Sequence, residues 1–291
     1  MDAPILVTGA LGNVGREVVN ALLAAGQKVR AADRHISRLE AVWGSSVEPV
    51  CFDFLDPATF AGTFAGVERM FLMRPPQIAN IKRDMLPAIR AAKRAGVKQV
   101  VFLSVIGIEN MTFIPHSKVE SSLKENIFET TFLRCSFFMQ NLSTTHRLEI
   151  KERSEIFVPV GDAKTSFIDA RDIGSVAARI LTEEGHAGRN YDITGAEALD
   201  YWQAAEILSE VLGRKIEYRN PGSVRFFLET VRRGASIPYA LVVTALYTST
   251  RHGMADKVTE EVERLTGKKP ISFRQFAEDH KDVWLAPNML L

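Results

Sequence analysis

The sequence predicts an α/β protein, a doubly wound parallel sheet followed by a smaller, mainly helical C-terminal substrate domain. Three observations carry this. An apolar strand, Ile5-Leu6-Val7, runs directly into TGALGNVG and then into a helical pattern, REVVNALLAAG. Short apolar runs then alternate with helical stretches, and strands joined by helices pair in parallel. From Leu199 onward the pattern turns mainly helical, with breaks at Gly213, Pro221-Gly222, Gly234, Gly253 and Lys269-Pro270.

After the first strand and helix, residues 28–33, 48–52 and 67–73 read as strands two to four. Residues 80–95 carry Ile81, Met85, Ile89 and Ala92 at helical spacing, and Gly96 stops that helix. A fully apolar fifth strand follows at 97–105, then a helix at 118–126, a sixth strand at 130–135 and a last strand of the same sheet at 189–193. These boundaries place a nucleotide-binding domain at 1–153, rejoined by 170–195. A smaller substrate or cap domain takes 154–169 and 196–291, with the active site expected in the cleft between the two.

The first junction is the most informative about function. Gly9 would supply the tight turn after the strand, Gly12 would let the backbone approach a pyrophosphate, and Gly15 would let the helix pack closely on the sheet. Leu11, Asn13 and Val14 complete the turn, and the unpaired amides at the helix start face the phosphates. The spacing is GxxGxxG rather than the GxGxxG of the dehydrogenase Rossmann fingerprint. Three glycines alone also suit a plain turn before a helix; the order strand, glycines, helix, strand favours the dinucleotide.

With 291 residues, 46% of them hydrophobic, the chain can bury a full core as one large domain or one and a half. Thirty-six basic residues balance 35 acidic ones for a net charge of +1, which leaves no footprint for nucleic acid or an anionic membrane surface. The first residues, MDAPILVTGA, show no basic region, long apolar stretch or cleavage site, so a cytoplasmic protein is expected. The apolar run 237–247 contains Pro238, falls short of the roughly 20 residues a membrane helix needs, and reads as a buried or pocket-lining helix. Cys51 and Cys135 lie in strand-like runs and read as reduced core thiols, with no metal site.

Asp33 ends strand two about twenty residues beyond the glycines, where a carboxylate takes the ribose hydroxyls of NAD. Arg34 follows immediately and suits the 2′-phosphate of NADP. At ~5 Å and an effective dielectric of ~20 either charge contributes roughly 3 kcal/mol, so electrostatics alone leaves the choice open, and rotation of Asp33 away would admit NADP. In FDFLDP, Asp53 suits the adenine amino group, with Phe54 beside it; the alternative for Asp53 is a helix N-cap, a role for which Asp56 before Pro57 is better placed. Met73-Arg74-Pro75-Pro76 leaves strand four beside the expected cofactor, with Met73 and Arg74 as candidate contacts.

The GxxGxxG turn, FDFLDP, QVVFLSVIG, HSKVE and TTFLRCSFFMQN together resemble the NmrA-like, atypical branch of the short-chain dehydrogenase/reductase superfamily. The tail, VTEEVERLTGKKPISFRQFAEDHKDVW, is similar to that of bacterial NAD(P)H-dependent quinone, azo-dye and triphenylmethane-dye reductases, so the resemblance covers essentially the whole chain. It implies a Ser at the end of strand five and a Tyr-x-x-x-Lys on the next helix. Ser104 and Lys118 match, but the tyrosine position falls on Ile114, and all five tyrosines lie at or beyond Tyr191. Lys118 would hold the nicotinamide ribose and place positive charge near a developing anion, the alternative being a solvated lysine at a helix start.

The missing tyrosine constrains the substrate. Hydride delivery to an isolated ketone leaves an alkoxide of pKa near ~16, whereas a quinone leaves a phenolate-like anion near ~10, a difference of roughly 8 kcal/mol in demand on an acid. Conjugated acceptors, including azo groups and extended dyes, can therefore take their proton from solvent. His116 is the local substitute donor, or else a polar residue in the loop before the helix, with Pro115 fixing the entry. Phe137, Phe138 and Asn141 follow strand six, where the resemblance implies nicotinamide and substrate; the aromatics suit a flat acceptor or the core. Tyr239 and Tyr247 on the apolar cap helix are further candidates to close over substrate or supply the proton.

The expected function is an NAD(P)H-dependent oxidoreductase passing hydride to a quinone, azo compound or related conjugated acceptor, with NADP or NAD as cofactor and NADPH slightly favoured. The alternative is a non-catalytic NAD(P)-binding redox sensor acting through protein partners. A sugar-nucleotide epimerase or dehydratase is disfavoured, because that chemistry uses the Tyr/Lys pair to remove and return a proton. A homodimer or a protein partner fits either reading; nucleic acid and membrane fit neither.

Overall fold

The computed structural model describes residues 3–112 and 114–286. The chain forms two compact units, one of residues 1–135, 170–193 and 264–267, the other of residues 136–169, 194–263 and 268–291. The second unit begins at Ser136.

In the first unit, β1 (Ile5–Thr8), β2 (Val29–Asp33), β3 (Glu48–Cys51), β4 (Arg69–Leu72), β5 (Gln99–Val105), β6 (Glu129–Cys135) and β8 (Asn190–Ile193) form one sheet; the second unit holds β7 (Glu155–Phe157) and β9 (Glu217–Arg219). The strand order of the large sheet is β3-β2-β1-β4-β5-β6-β8, with every pairing parallel. Chain order reverses between β1 and β4. In such a sheet the crevice beyond the carboxyl ends of those two strands is where ligands bind.

The helices of the first unit are α1 (Asn13–Ala24), α2 (Ile36–Trp43), α3 (Phe60–Phe64), α4 (Ile81–Asp84), α5 (Leu86–Arg94), α6 (Pro115–Glu125) and α9 (Ala170–Thr182). Those of the second are α7 (Gln140–Ser143), α8 (Arg147–Arg153), α10 (Tyr201–Leu212), α11 (Ser223–Arg232), α12 (Ile237–Arg251) and α14 (Phe273–Leu285); α13 (Glu261–Thr266) lies between α12 and α14 in the chain. Val14, Val18, Val19 and Leu22 bury one face of α1, each contributing roughly 2 kcal/mol. Its neighbour α9 approaches so closely that a Cβ on Gly174 would fall 2.6 Å from the Glu17 backbone. This backbone contact fixes the helix that follows the glycine turn.

Three expectations are corrected. The single helix over 80–95 is two, α4 and α5, divided at Met85. Pro87 has no N–H for the Arg83 carbonyl and its ring crowds that oxygen, so the turn cannot continue. The helix expected at 118 starts at Pro115, whose fixed φ suits a first helical position and whose missing N–H costs nothing there. Cys135 is a buried thiol, but Cys51 ends the edge strand β3 and is half exposed. The helix α12, expected to be buried or pocket-lining, buries Ala240, Tyr247 and Thr250 and leaves Ile237 and Leu241 exposed. Its apolar residues surround the axis, and one packed face cannot cover them all.

The second unit is mainly helical around Phe157, Tyr201, Tyr218, Phe226, Tyr247, Phe273, Phe276 and Trp284. It also contains a short parallel pair, β7 with β9, that the sequence did not suggest. Among the described residues no helix is long and apolar enough to cross a membrane.

Candidate functional site

Gly9 turns the chain at the end of β1 with φ +62°, a conformation L side chains rarely adopt. A Cβ on Gly15 would lie 2.2 Å from the Gly9 carbonyl oxygen and 3.1 Å from Ala10 Cα. The close approach at Gly15 is thus onto the turn itself rather than onto the sheet. Gly12 caps α1 with extended backbone and, having no side chain, makes no side-chain capping hydrogen bond. Leu11, Gly12 and Asn13 are half-buried along this turn, while Val14 is part of the core.

Thr8, a residue the sequence reading passed over, ties the crevice together. Its Oγ1 donates to the Phe71 carbonyl at 3.2 Å and accepts from the Met73 N–H at 3.0 Å. The hydroxyl locks the ends of β1 and β4 in register and directs Met73 over the glycines. The Met73 methyl lies 2.3 Å from where a Gly9 Cβ would be and 3.1 Å from that of Gly12. A hydroxyl residue immediately before the first glycine was the available signal.

Arg74 turns the other way. Its buried Nη1 donates to the carbonyls of Pro75, Pro76 and Ile78 at 2.9, 3.2 and 2.7 Å, and its Nε is buried without a partner. Burial lowers its pKa to about 10. The guanidinium holds its own loop rather than reaching toward the glycine turn.

At the end of β2, Asp33 Oδ1 accepts from the His35 N–H at 3.1 Å, which folds the carboxylate over its own loop. Arg34, His35 and Arg38 are exposed beside it. Asp53 is engaged in a turn, accepting from the Leu55 N–H at 2.9 Å, and Asp56 takes the capping role by accepting from Ala58 N–H. The Phe54 ring is buried edge-on to Phe52 with centroids 4.6 Å apart, so only its backbone is available to a ligand.

Around α6 the structure joins Ser104 to a partner the sequence did not indicate. Ser104 Oγ donates to Glu120 Oε1 at 2.7 Å, and Glu120 Oε2 is paired with Arg134 at 2.9 Å, all three at the junction of β5, β6 and α6. Lys118 is exposed and has no hydrogen-bond or ion-pair partner among the described residues. Two residues along a helix is a rotation of about 200°, so Lys118 leaves α6 on the face opposite Glu120. Ser104 and Lys118 are therefore not a contacting pair. Ile114, in the family tyrosine's place, is buried as the N-cap of α6. His116 is half-buried; burial first, then the Arg74 charge, lower its pKa to about 3 and keep it neutral.

The remaining candidates are in the second unit. The half-buried Phe137 stacks on Tyr247 with centroids 5.3 Å apart, and Phe226 meets the same tyrosine edge-on at 5.4 Å. Tyr247 Oη is 2.8 Å from His146 Nε2, and His146 Nδ1 is 2.9 Å from Glu149 Oε2. Arg233 pairs with the other Glu149 oxygen. Burial and the Arg233 charge lower the His146 pKa to about 4, so the contact with Glu149 is a hydrogen bond to a neutral ring. The carboxylate selects the Nδ1–H tautomer, and the Nε2 lone pair then accepts from Tyr247 O–H. Burial raises the Tyr247 pKa further above its ordinary value. Tyr239 is half-buried and its pKa is raised by burial. Phe138 and Asn141 are half-buried; the Asn141 N–H donates to the Phe138 carbonyl at 3.1 Å, and its carbonyl accepts from the His146 N–H at 2.8 Å.

Comparison with known proteins agrees with this architecture. The chain is 32% identical over 284 residues to an uncharacterized oxidoreductase, YesF, of Bacillus subtilis, covering 97% of this chain and 96% of that one. It is 31% identical over 292 residues to the NAD(P)H azoreductase of Xenophilus azovorans, covering 95% and 97%. The fold matches Citrobacter sp. triphenylmethane reductase solved with NADP(H), with TM-score 0.80, 24% identity and 95% and 99% coverage. It also matches the Escherichia coli NADPH-dependent quinone oxidoreductase QOR2 with NADPH, at TM-score 0.82, 22% identity and 94% and 99% coverage. The negative transcriptional regulator NmrA, solved with NADP, shares the fold at TM-score 0.76 and 16% identity, with 99% of each chain covered. With the NmrA-like family profile matching residues 1–269, the chain belongs to the NmrA-like family.

Proposed function

We propose that this protein is an NAD(P)H-dependent reductase of quinones, azo compounds or related conjugated acceptors. The observation that carries the reading is the state of the groups available as acids. Ile114 replaces the family tyrosine, His116 is held neutral with a pKa near 3, and the Ser104 hydroxyl is given to Glu120. In the second unit the Tyr247 hydroxyl is committed to His146 and made less acidic by burial. Chemistry that needs a strong local acid is poorly served. A conjugated acceptor, whose reduced form is stable as a phenolate-like anion, takes its proton from water.

The residues fit a dinucleotide. Gly9, Gly12 and Gly15 supply the turn and the backbone approach, and Leu11, Asn13 and Val14 carry the amides toward a pyrophosphate. Asp53 and the Phe54 backbone would hold the adenine end. Met73 lies against the diphosphate turn. Asp33 is folded onto its own loop and Arg34 is exposed, an arrangement that favours a 2′-phosphate and hence NADPH. The bound cofactor supplies the hydride. Lys118 would hold the nicotinamide ribose and add positive potential there, while Ser104 positions α6 against β5 through Glu120. Phe137, Phe138, Asn141, Tyr239 and Tyr247 form the acceptor's surroundings, with the Phe137–Tyr247 stack offering a flat aromatic wall.

The second reading is a cofactor-binding sensor, favoured by one observation: Ser104 contacts Glu120 and not Lys118. Stopped-flow oxidation of NADPH or NADH against a panel of quinones and azo dyes separates the two. Rapid oxidation supports the reductase. Tight binding of oxidised and reduced cofactor with no oxidation by any acceptor favours the sensor. Lys118→Ala should lower turnover about a hundredfold with cofactor affinity nearly unchanged; equal losses in both would make it a binding contact only.

A further inference from the structure

A cavity of about 630 Å³ lies wholly among residues 153–233 of the second unit, within the size range of small-molecule sites. Five arginines line it: Arg153, Arg219, Arg225, Arg232 and Arg233. Their convergence follows from the local fold. Arg219 is the register partner of Phe157 in the β7–β9 pair. On α11, Arg225, Glu229 and Arg232 stand at i, i+4 and i+7, one face of the helix. The Phe157 ring forms the floor, with the Arg225 and Arg233 guanidinium carbons 5.8 and 5.5 Å from its centroid.

The carboxylates of this wall do not use up its donors. Glu155 lies 3.9 Å from Arg153 and 3.5 Å from Arg219, and Glu229 lies 3.8 Å from Arg232 and 3.0 Å from Arg233. From outside the lining, Glu217 reaches Arg219 at 3.0 Å and Glu149 pairs with Arg233. Arg225 has no carboxylate partner among the described residues; its contact is the Phe157 face. Each guanidinium carries five N–H donors in a planar fork suited to phosphate or carboxylate, so most remain unspent. The guanidiniums outnumber the carboxylates that reach them, and Arg225 is the one without such a carboxylate among the described residues.

We propose that this pocket binds a small organic anion carrying two or more phosphate or carboxylate groups, held by Arg219, Arg225 and Arg232 above Phe157. The site is independent of the dinucleotide reading, since none of its residues belongs to the glycine turn or to the end of β2.

The test uses the full chain, with inorganic pyrophosphate and citrate as probes, followed by isothermal titration calorimetry and thermal unfolding. The expected result is saturable binding of at least one probe, weakened about tenfold or more in Arg219→Gln/Arg225→Gln and within about twofold of wild type in Arg34→Gln. Whichever probe binds more tightly identifies the headgroup. Arg225→Gln alone, at an exposed position, serves if the double variant does not fold. Stabilisation matched by sodium chloride at equal ionic strength would overturn the proposal, as would binding lost in Arg34→Gln but kept in the pocket variants. Absence of saturable binding by both probes at millimolar concentration would also overturn it.

Discussion

The glycine turn after β1 and the Tyr247 cluster treat polar atoms in opposite ways. At the turn side chains are excluded, by the positive φ of Gly9 and by the 2.2 Å that a Gly15 Cβ would leave to the Gly9 oxygen. Backbone rather than side chain then lines the turn. In the cluster side chains satisfy one another: Tyr247 with His146, His146 with Glu149, Glu149 with Arg233. The first region is shaped to be completed by something from outside, whereas the second is already complete. A site whose polar groups are already paired serves as a wall and a poor acid, whereas a helix start preceded by glycines suits an anion.

The sharpest way to break this contrast is Gly15→Ala. Its Cβ meets backbone that cannot move aside, so we expect a loss of about 3 kcal/mol in stability or more, together with loss of dinucleotide binding. Gly26→Ala, at φ +71° with open space around it, should cost only about 1 kcal/mol. Equal behaviour of the two in thermal unfolding would show that the turn is not tightly packed.

The next effect comes from two histidines whose surroundings disfavour the charged ring. His116 and His146 titrate near 3 and 4 in the fold, below the ordinary value of 6.5. As pH falls below about 6.5 the unfolded chain binds protons that the native state refuses, so stability drops by up to about 1.4 kcal/mol per pH unit for each histidine. This contribution is present above the unfolded pKa and is lost progressively toward pH 4. In His146→Gln the urea-unfolding free energy should depend less steeply on pH by one histidine's share. Parallel curves for variant and wild type would place the titration elsewhere.

A smaller effect sharpens the cofactor side. Arg34→Gln should weaken NADPH about tenfold to thirtyfold while NADH changes little, the worth of one charge-assisted contact at an exposed position. An unchanged ratio of the two affinities, measured by fluorescence titration, would remove Arg34 from the 2′-phosphate.

The same contrast explains what was legible in the sequence. The parallel sheet and the turn are local: glycine is needed where φ is positive or a Cβ has no room, so Gly9 and Gly15 are visible as letters. The Ser104–Glu120 and His146–Tyr247 contacts join residues 16 and 101 positions apart. Nothing in Glu120 alone distinguishes it from a solvated helix residue, and only the fold brings it to Ser104. Arg74 looked like a ligand because it leaves β4 at the crevice, yet the carbonyls of Pro75, Pro76 and Ile78 captured it. The short β7–β9 pair, three residues in each strand, is too brief for a periodic signal.

The most direct test of the central claim is single-turnover oxidation of bound NADPH by a p-quinone, compared with a saturated cyclic ketone of the same size. With no poised local acid, the quinone should react at least about a thousandfold faster, and its rate should be nearly independent of pH around neutrality. Comparable rates for the two acceptors would reveal an acid catalyst that this arrangement does not contain and would contradict the account.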